Sequence, residues 1–275
     1  MLVNLKDVLK YTENQQFALP AFNVYNMETA MGVVAAADEL SAPIVMQCYS
    51  RLFTNGEGYY VSPLIVAAAK AAKVPICFHL DHGASEKEVM KALRGGATGI
   101  MIDGSAYDFE ENVALTKKTV DLCASIGVPV EGELGHVGTV NDDHMGEFTK
   151  PEEAAEFVER TGVCSLAVMV GTAHGRYKQE PKLDMERISA IYETANIPLV
   201  LHGGSGIPDD QITESIKRGI RKVNFGTDVC YSFLDKVFET PRDKVAIDMF
   251  MKDAVENVKQ FAMGKIKLLG AEGKA

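Results

Sequence analysis

The chain has 275 residues, of which 47% are hydrophobic, and its formal net charge is −10. This length suits one large core, so we expect a single domain over residues 1–275. The negative charge argues against nucleic acid or an anionic membrane as a partner. No stretch approaches the roughly 18 to 20 apolar residues of a membrane span, and the N-terminus lacks a secretory pattern. We therefore expect a cytoplasmic protein. A small anionic substrate stays compatible with the charge, because a few local donors suffice to hold it.

Eight short apolar runs alternate with longer segments of helical periodicity along the whole chain. The runs are FALPAFNV (17–24), APIVMQCY (42–49), VPICFHLD (74–81), TGIMID (98–103), VPVEGEL (128–134), CSLAVMV (164–170), IPLVLH (197–202) and RKVNFG (221–226). The segments between them carry apolar residues at three- and four-residue spacing, as amphipathic helices do. Eight βα units favour a closed (β/α)8 TIM barrel over an open doubly wound sheet. The tail from about residue 243 to 270 predicts an extra C-terminal helix.

Polar side chains stand at or just beyond the ends of these apolar runs. They are Asn23, Ser50, Asp81, His82, Asp103, Glu133, His174, His202 and Asn224. Active sites of TIM barrels are built at the C-terminal ends of the strands, so we expect these side chains to meet at one face. Lys222 begins the eighth run and is expected to point to the opposite face, which leaves no lysine placed for Schiff-base chemistry.

His82, His174 and His202 follow the third, sixth and seventh runs and form a candidate metal site. Three histidines that leave one or two open positions are typical of catalytic zinc, although any one of them alone is more simply a buried core histidine. Asp81 precedes His82 and suits a general acid or base, or a group that orients a histidine. Asp103 and Glu133 are candidate ligands of a second cation, or else they orient the first set.

Two glycine-rich turns follow the last two runs, and both are candidate phosphate sites. They are Gly203-Gly204-Ser205-Gly206 and Asn224-Phe225-Gly226-Thr227. Phosphate sites on TIM barrels commonly use the loops after strands seven and eight, where small residues let backbone N–H groups approach an oxygen. Such a turn alone is weak evidence, and its position in the barrel is what favours phosphate.

Seven segments taken together resemble the class II, zinc-dependent ketose-bisphosphate aldolases, whose members include fructose- and tagatose-bisphosphate aldolases. The segments are PAFNVYN (20–26), HLDHG (79–83), MIDGS (101–105), EGELGHVG (131–138), VGTAHGRY (170–177), LVLHGGSG (199–206) and KVNFGTD (222–228). The resemblance implies reversible cleavage of a ketose 1-phosphate or 1,6-bisphosphate to dihydroxyacetone phosphate and an aldehyde. It also implies that zinc on the three histidines stabilises an enediolate, and that the protein is a homodimer or homotetramer.

The resemblance also implies roles for individual residues. Asp81 would exchange the proton of the hydroxyl whose carbonyl forms on cleavage, and Asn224 would touch the enediolate. Asp103 and Glu133 match positions of an alternative or second metal site. The substrate-binding candidates are Asn23, Ser50, Arg51, Gly175, Gly203, Gly204, Ser205, Asn224, Phe225, Gly226 and Thr227. A monovalent cation, Na⁺ or K⁺, is expected beside the phosphate.

The chain departs from the family pattern at two places. Asn141 stands where the family has a loop glutamate that handles a proton. The candidates to replace it are Asp142, Asp143, Glu147 and a water molecule, of which we hypothesise Asp142. Tyr49 and Arg51 stand where relatives carry small residues, so Arg51 is either a surface residue or grips a distal phosphate or carboxylate. Two rival interpretations stay open: a zinc hydrolase on the same barrel, and a noncatalytic sugar-phosphate-binding protein.

Overall fold

The computed structural model describes residues 1–140, 147–175, 177 and 180–275. Nine parallel strands are present in this part of the chain, and the last eight close into a barrel. The strands are β1 (Leu2–Val3), β2 (Leu19–Asn23), β3 (Ile44–Tyr49), β4 (Ile76–Gly83), β5 (Gly99–Ile102), β6 (Val130–Leu134), β7 (Ser165–Val168), β8 (Leu199–Leu201) and β9 (Ile220–Phe225). Strand β9 pairs with β2 and closes the ring, while the short β1 pairs with β4. The predicted TIM barrel is confirmed.

Helices connect the strands and cover the outside of the barrel. They are α1 (Leu5–Leu9), α2 (Met27–Glu39), α3 (Ser50–Asn55), α4 (Gly58–Ala71), α5 (Glu86–Arg94), α6 (Phe109–Ala124), α7 (Pro151–Thr161), α8 (Met185–Ala195), α9 (Asp209–Lys217), α10 (Thr227–Glu239) and α11 (Ile247–Leu268), with one 3-10 turn at Lys10–Thr12. Among the described residues, none of these helices combines the length and apolarity needed to cross a membrane.

The two ends of the barrel differ because all its strands are parallel. Helix α1 covers the N-terminal end, where it buries Leu5, Val8 and Leu9. The backbone N–H of Leu5 donates to the carbonyl of Thr98, one residue ahead of β5. The C-terminal ends of the strands are therefore the face that stays open for a ligand.

The predicted C-terminal helix is α11, which packs on the outside of the barrel between α2 and α10. Its contact with α2 is close, because a Cβ on Gly32 would lie 2.8 Å from side-chain carbons of Val258. Ala254, Val258, Ala262 and Ile266 recur every fourth residue on its buried face.

Candidate active site

Three imidazoles meet at the C-terminal end of the barrel. His82 Nε2 lies 3.2 Å from His174 Nε2 and 3.1 Å from His202 Nδ1. His82 comes from the end of β4, while His174 and His202 follow β7 and β8. Three strands that are separated along the chain thus bring three ring nitrogens to one point.

A second set of contacts fixes the proton on each ring. His82 Nδ1 lies 2.8 Å from Asp103 Oδ2, and His174 Nδ1 lies 2.9 Å from the carbonyl oxygen of Val137. His202 Nε2 lies 3.1 Å from Glu131 Oε1. Because each of these partners accepts a hydrogen bond, each ring carries its proton on the outer nitrogen. When the rings are neutral, the three inner nitrogens therefore carry the lone pairs that a metal ion would bind.

This arrangement fits a tetrahedral metal ion. Zinc–nitrogen bonds of about 2.0 to 2.1 Å at tetrahedral angles place ligand nitrogens roughly 3.3 Å apart. The two separations from His82 Nε2, 3.2 and 3.1 Å, are close to this value, and the ligand atoms of the three histidines all lie within 4.8 Å of one another. The surroundings also favour a cation. Burial alone would lower the pKa of His82, but the carboxylates of Asp81, Asp103 and Glu133 outweigh it and raise the pKa to about 10. The charge that these carboxylates favour at this point is the charge that a metal ion would supply.

The backbone at His82 explains how two consecutive residues reach the same cavity. Neighbouring side chains in a strand normally point to opposite faces. His82 has a φ of +51°, in the left-handed region, and the β4–β5 register shifts between Leu80 and Gly83. This irregularity turns His82 toward the cavity, which Asp81 also lines.

Asp81 is buried and is held by two amides. Its Oδ2 accepts a hydrogen bond of 2.6 Å from Asn23 Nδ2, and its Oδ1 accepts one of 3.4 Å from Asn224 Nδ2. Burial alone would raise the pKa of Asp81, but the imidazoles of His82 and His202 outweigh burial and lower it. Asp81 is therefore an ionised acceptor beside the histidine cluster.

Asp103 and Glu133 lie together on the other side of His82. The Ser105 hydroxyl is 2.7 Å from Asp103 Oδ1 and 3.0 Å from Glu133 Oε1. Glu133 is fully buried, and its Oε2 has no hydrogen-bond partner among the described residues, although it lies 3.5 Å from His202 Nδ1. With His82 they form a second group of side chains whose ligand atoms are close enough to hold an ion.

A buried ion pair lies beneath the histidines, inside the barrel. Lys222 Nζ donates to both oxygens of Glu131, at 3.0 and 2.8 Å, and both side chains are fully buried. The prediction that Lys222 points to the opposite face was wrong. Lys222 is the third residue of β9 and alternates with Asn224, so both side chains point into the barrel.

Small residues and one helix N-terminus form the other wall of the cavity. Gly203 has a φ of +66°, and a Cβ there would overlap the carbonyl oxygen of Ala173. Helix α10 begins at Thr227, and the N–H of Asp228 donates to the Ser205 hydroxyl. The positive end of the helix dipole makes this wall suitable for an anion. The cavity between this wall and the histidines has a volume of about 410 Å³.

Comparisons with known proteins agree with this geometry. The model of the class II fructose-bisphosphate aldolase family matches residues 3–274. The chain belongs to this family. It is 40% identical to the uncharacterized protein YdjI of Escherichia coli K12 over 279 aligned residues, which cover all of both chains.

Solved structures of this aldolase family share the fold. The crystal structure of the YdjI aldolase from Escherichia coli K12 is 38% identical, with a TM-score of 0.91 over 100% of each chain. The fructose-bisphosphate aldolase of Campylobacter jejuni has a TM-score of 0.84 over 100% of this chain and 97% of that chain. At 23% identity, that second likeness shows the fold alone.

Most of the residues predicted to form the aldolase site line the cavity. They are Asn23, Ser50, Arg51, Asp81, His82, Asp103, His174, Gly175, Gly203, Ser205, Asn224, Gly226 and Thr227. His202 and Glu133 lie just below, fully buried. Gly204 and Phe225 do not line it, because Gly204 packs on Val223 and Phe225 stacks on Phe22 in the core. Asn141 and Asp142 lie outside the described residues, so the predicted role of Asp142 stays a prediction.

Three further aromatic rings, those of Tyr25, Tyr49 and His136, line the cavity. Of these, only Tyr49 is singled out in the sequence, as a departure from the family pattern. The Arg51 guanidinium lies 5.3 Å from the centre of the Tyr49 ring, and His136 Nδ1 lies 3.0 Å from the Ser105 hydroxyl. Tyr25 follows the first predicted strand and Tyr49 ends the second, so their position at the end of a strand was the available signal.

Proposed function

We propose that this protein is a metal-dependent aldolase that reversibly cleaves a ketose 1-phosphate or 1,6-bisphosphate to dihydroxyacetone phosphate and an aldehyde. One observation carries the proposal. Three imidazole nitrogens meet beside the buried carboxylate of Asp81, in a cavity whose other wall is lined by Gly203, Ser205 and the N-terminus of α10. A metal site, a proton acceptor and an anion site thus lie within one cavity.

Asp81 is the residue that we assign to the first proton transfer. Its carboxylate would accept the proton of the substrate hydroxyl as the adjacent carbon–carbon bond breaks, so that this oxygen becomes the carbonyl of the aldehyde. Asn23 and Asn224 hold the two carboxylate oxygens in place. Asn224 would also donate to the oxygens of the three-carbon fragment. That fragment keeps the bonding electron pair and takes up a proton at the same carbon.

His82, His174 and His202 would hold a zinc ion, whose chemistry when bound is that of a Lewis acid that polarises the ketose carbonyl. Asp103 and Glu133 would orient these ligands or hold a second cation. We also propose that the phosphate lies against Gly175, Gly203, Ser205, Gly226 and Thr227, with Na⁺ or K⁺ as a counter-ion. Replacing one of these monovalent ions with the other at constant ionic strength would test that part.

Arg51 is proposed to bind a negatively charged group at the far end of the substrate. It lines the cavity, its guanidinium lies 5.3 Å from the centre of the Tyr49 ring, and it has no acidic partner among the described residues. A guanidinium can hold a phosphate or carboxylate through two hydrogen bonds. Arg51→Ala should therefore slow condensation with phosphorylated acceptor aldehydes much more than with uncharged ones, whereas an equal loss on both would exclude specific anion recognition.

The decisive experiment uses dihydroxyacetone phosphate and a panel of acceptor aldehydes, with and without a chelator. We expect carbon–carbon bond formation with at least one acceptor, loss of activity on metal removal and recovery on adding zinc. No bond formation with any acceptor would refute the aldolase proposal and favour a noncatalytic sugar-phosphate-binding protein. Release of phosphate or of another hydrolysis product would favour a zinc hydrolase.

Asp142 is proposed to supply the second proton transfer, at the carbon that keeps the electron pair. Asp142→Asn should slow the release of tritium from labelled dihydroxyacetone phosphate, because this exchange isolates the proton transfer from the aldehyde. Unchanged release would exclude Asp142 from this role.

A further inference from the structure

The buried pair Lys222–Glu131 has no part in the chemistry proposed above. Both side chains are fully buried inside the barrel, and among the described residues Lys222 is the only buried lysine or arginine. The interior of a TIM barrel is usually filled with branched apolar side chains. A buried ion pair is also seldom more stable than an apolar pair of the same size. The position of this pair therefore needs another reason.

Glu131 also contacts His202, one of the three histidines of the proposed metal site. Glu131 Oε1 lies 3.1 Å from His202 Nε2, and His202 Nδ1 lies among the converging ring nitrogens. The contacts thus run in one line from Lys222 through Glu131 to His202. Lys222 is the cation at one end of this line, and the proposed metal site is at the other.

Lys222 also fixes the orientation of the Glu131 carboxylate. It contacts both oxygens, whereas Ser165 Oγ contacts only Oε2, at 3.2 Å. A competitor lies nearby, because His79 Nε2 is 3.9 Å from Glu131 Oε2 and neither His79 ring nitrogen has a hydrogen-bond partner among the described residues. Without Lys222, the carboxylate would be free to turn toward His79 and leave His202.

We propose that Lys222 is a positioning residue, which acts through Glu131 to hold the His202 ring with its Nδ1 directed at the metal. This proposal rests on the metal site of the proposed function. Partners that orient metal-ligating histidines typically contribute about 10- to 100-fold to metal affinity. Lys222 should make a contribution of that size although it touches neither metal nor substrate.

The test is the zinc affinity of purified protein, measured by competition with a chromophoric chelator. Lys222→Met keeps an unbranched side chain of similar length and removes its charge, so we expect zinc to bind about 10- to 100-fold more weakly. Ser165→Ala is the matched control, because it removes one contact of Glu131 but leaves Lys222 and His202 in place. Its zinc affinity should stay within about threefold of that of the unaltered protein.

A double variant separates a loss of zinc binding from a loss of folding. Lys222→Met leaves the Glu131 carboxylate without its counter-ion, whereas Lys222→Met with Glu131→Gln removes both charges at nearly constant volume. We expect this double variant to melt near the unaltered protein and still bind zinc at least tenfold more weakly. The visible absorption of the cobalt-substituted protein should also change in both variants, because the geometry of the His202 ligand changes.

Zinc affinities within threefold of the unaltered protein, in whichever of the two variants folds, would overturn the proposal and leave Lys222 as a structural counter-ion. An equal loss in Ser165→Ala would overturn it as well, since the effect would then be general loosening of the interior. Failure of the proposed metal site itself gives a different result: the unaltered protein would bind no zinc, or His174→Ala would bind it equally well.

Discussion

Replacement of Asp81 by asparagine should remove turnover while it leaves the fold and the metal site in place. The asparagine side chain keeps a carbonyl oxygen to accept the 2.6 Å hydrogen bond from Asn23. Its new amide group would face Asn224 Nδ2, but Asn224 Oδ1 has no hydrogen-bond partner among the described residues. A flip of the Asn224 amide would turn that oxygen toward the new donor. The cost in folding free energy should therefore stay within about 1 kcal/mol.

The expected effect on catalysis is much larger. A positioned general base contributes about 10²- to 10⁴-fold, which corresponds to roughly 3 to 5 kcal/mol of activation free energy. Asp81→Asn should thus lower kcat for retro-aldol cleavage by about that factor even when zinc is saturating. Asp103→Asn is the matched control: it weakens the contact to His82 Nδ1 and should lower zinc affinity about 10- to 100-fold. An Asp81→Asn variant that retains more than about a tenth of kcat would refute the assignment of Asp81 as the base.

Three other predictions follow from the walls of the cavity and the surface. Gly203→Ala should raise KM for dihydroxyacetone phosphate, because the new Cβ would press on the carbonyl of Ala173. Gly127→Ala is the control: Gly127 also has a positive φ but has open space around it, so KM should stay unchanged. Tyr177→Phe should lower the free energy of unfolding by about 1 to 3 kcal/mol in denaturant titrations, because the Tyr177 hydroxyl accepts from Ala173 N–H and donates to the Gly203 carbonyl; unchanged stability would contradict this. Sedimentation should find a dimer or tetramer that Phe238→Glu weakens, because Phe238 is 82% exposed, and a monomeric unaltered protein would contradict the prediction.

The barrel and the meeting of the histidines could be predicted because both depend on periodicity. Each of the eight apolar runs overlaps one barrel strand, with ends that differ by a few residues. Parallel strands bring their C-terminal ends to one face, so residues that follow different strands must come together there. The distances between the rings, and the choice of Nδ1 on His202 but Nε2 on His82, depend on contacts that the sequence does not contain.

The bend at His82 shows a second limit of the sequence. A regular strand that directs Asp81 into the barrel would turn His82 away from it. Both line the cavity because His82 adopts a positive φ and the pairing with β5 slips. Nothing in HLDHG requires that conformation, although histidine is among the residues that adopt it more readily than most.

The error at Lys222 can be traced to one residue of register. The eighth apolar run begins at residue 221, so the sequence predicts Lys222 at the N-terminal end of a strand, whereas β9 begins at Ile220 and Lys222 lies within it. The strand period of two would have corrected this: Asn224 faces the cavity, so the residue two positions earlier faces the interior one layer below.

The same rule applies to two other strands. Glu131 precedes Glu133 by two in β6, and His79 precedes Asp81 by two in β4. Glu131, His79 and Lys222 form a fully buried polar layer directly beneath the metal-site histidines. This layer joins the interior of the barrel to the proposed metal site. Branched apolar side chains would fill that layer if it served packing alone. A charged layer there is therefore better explained by its contact with His202 than by the stability of the barrel.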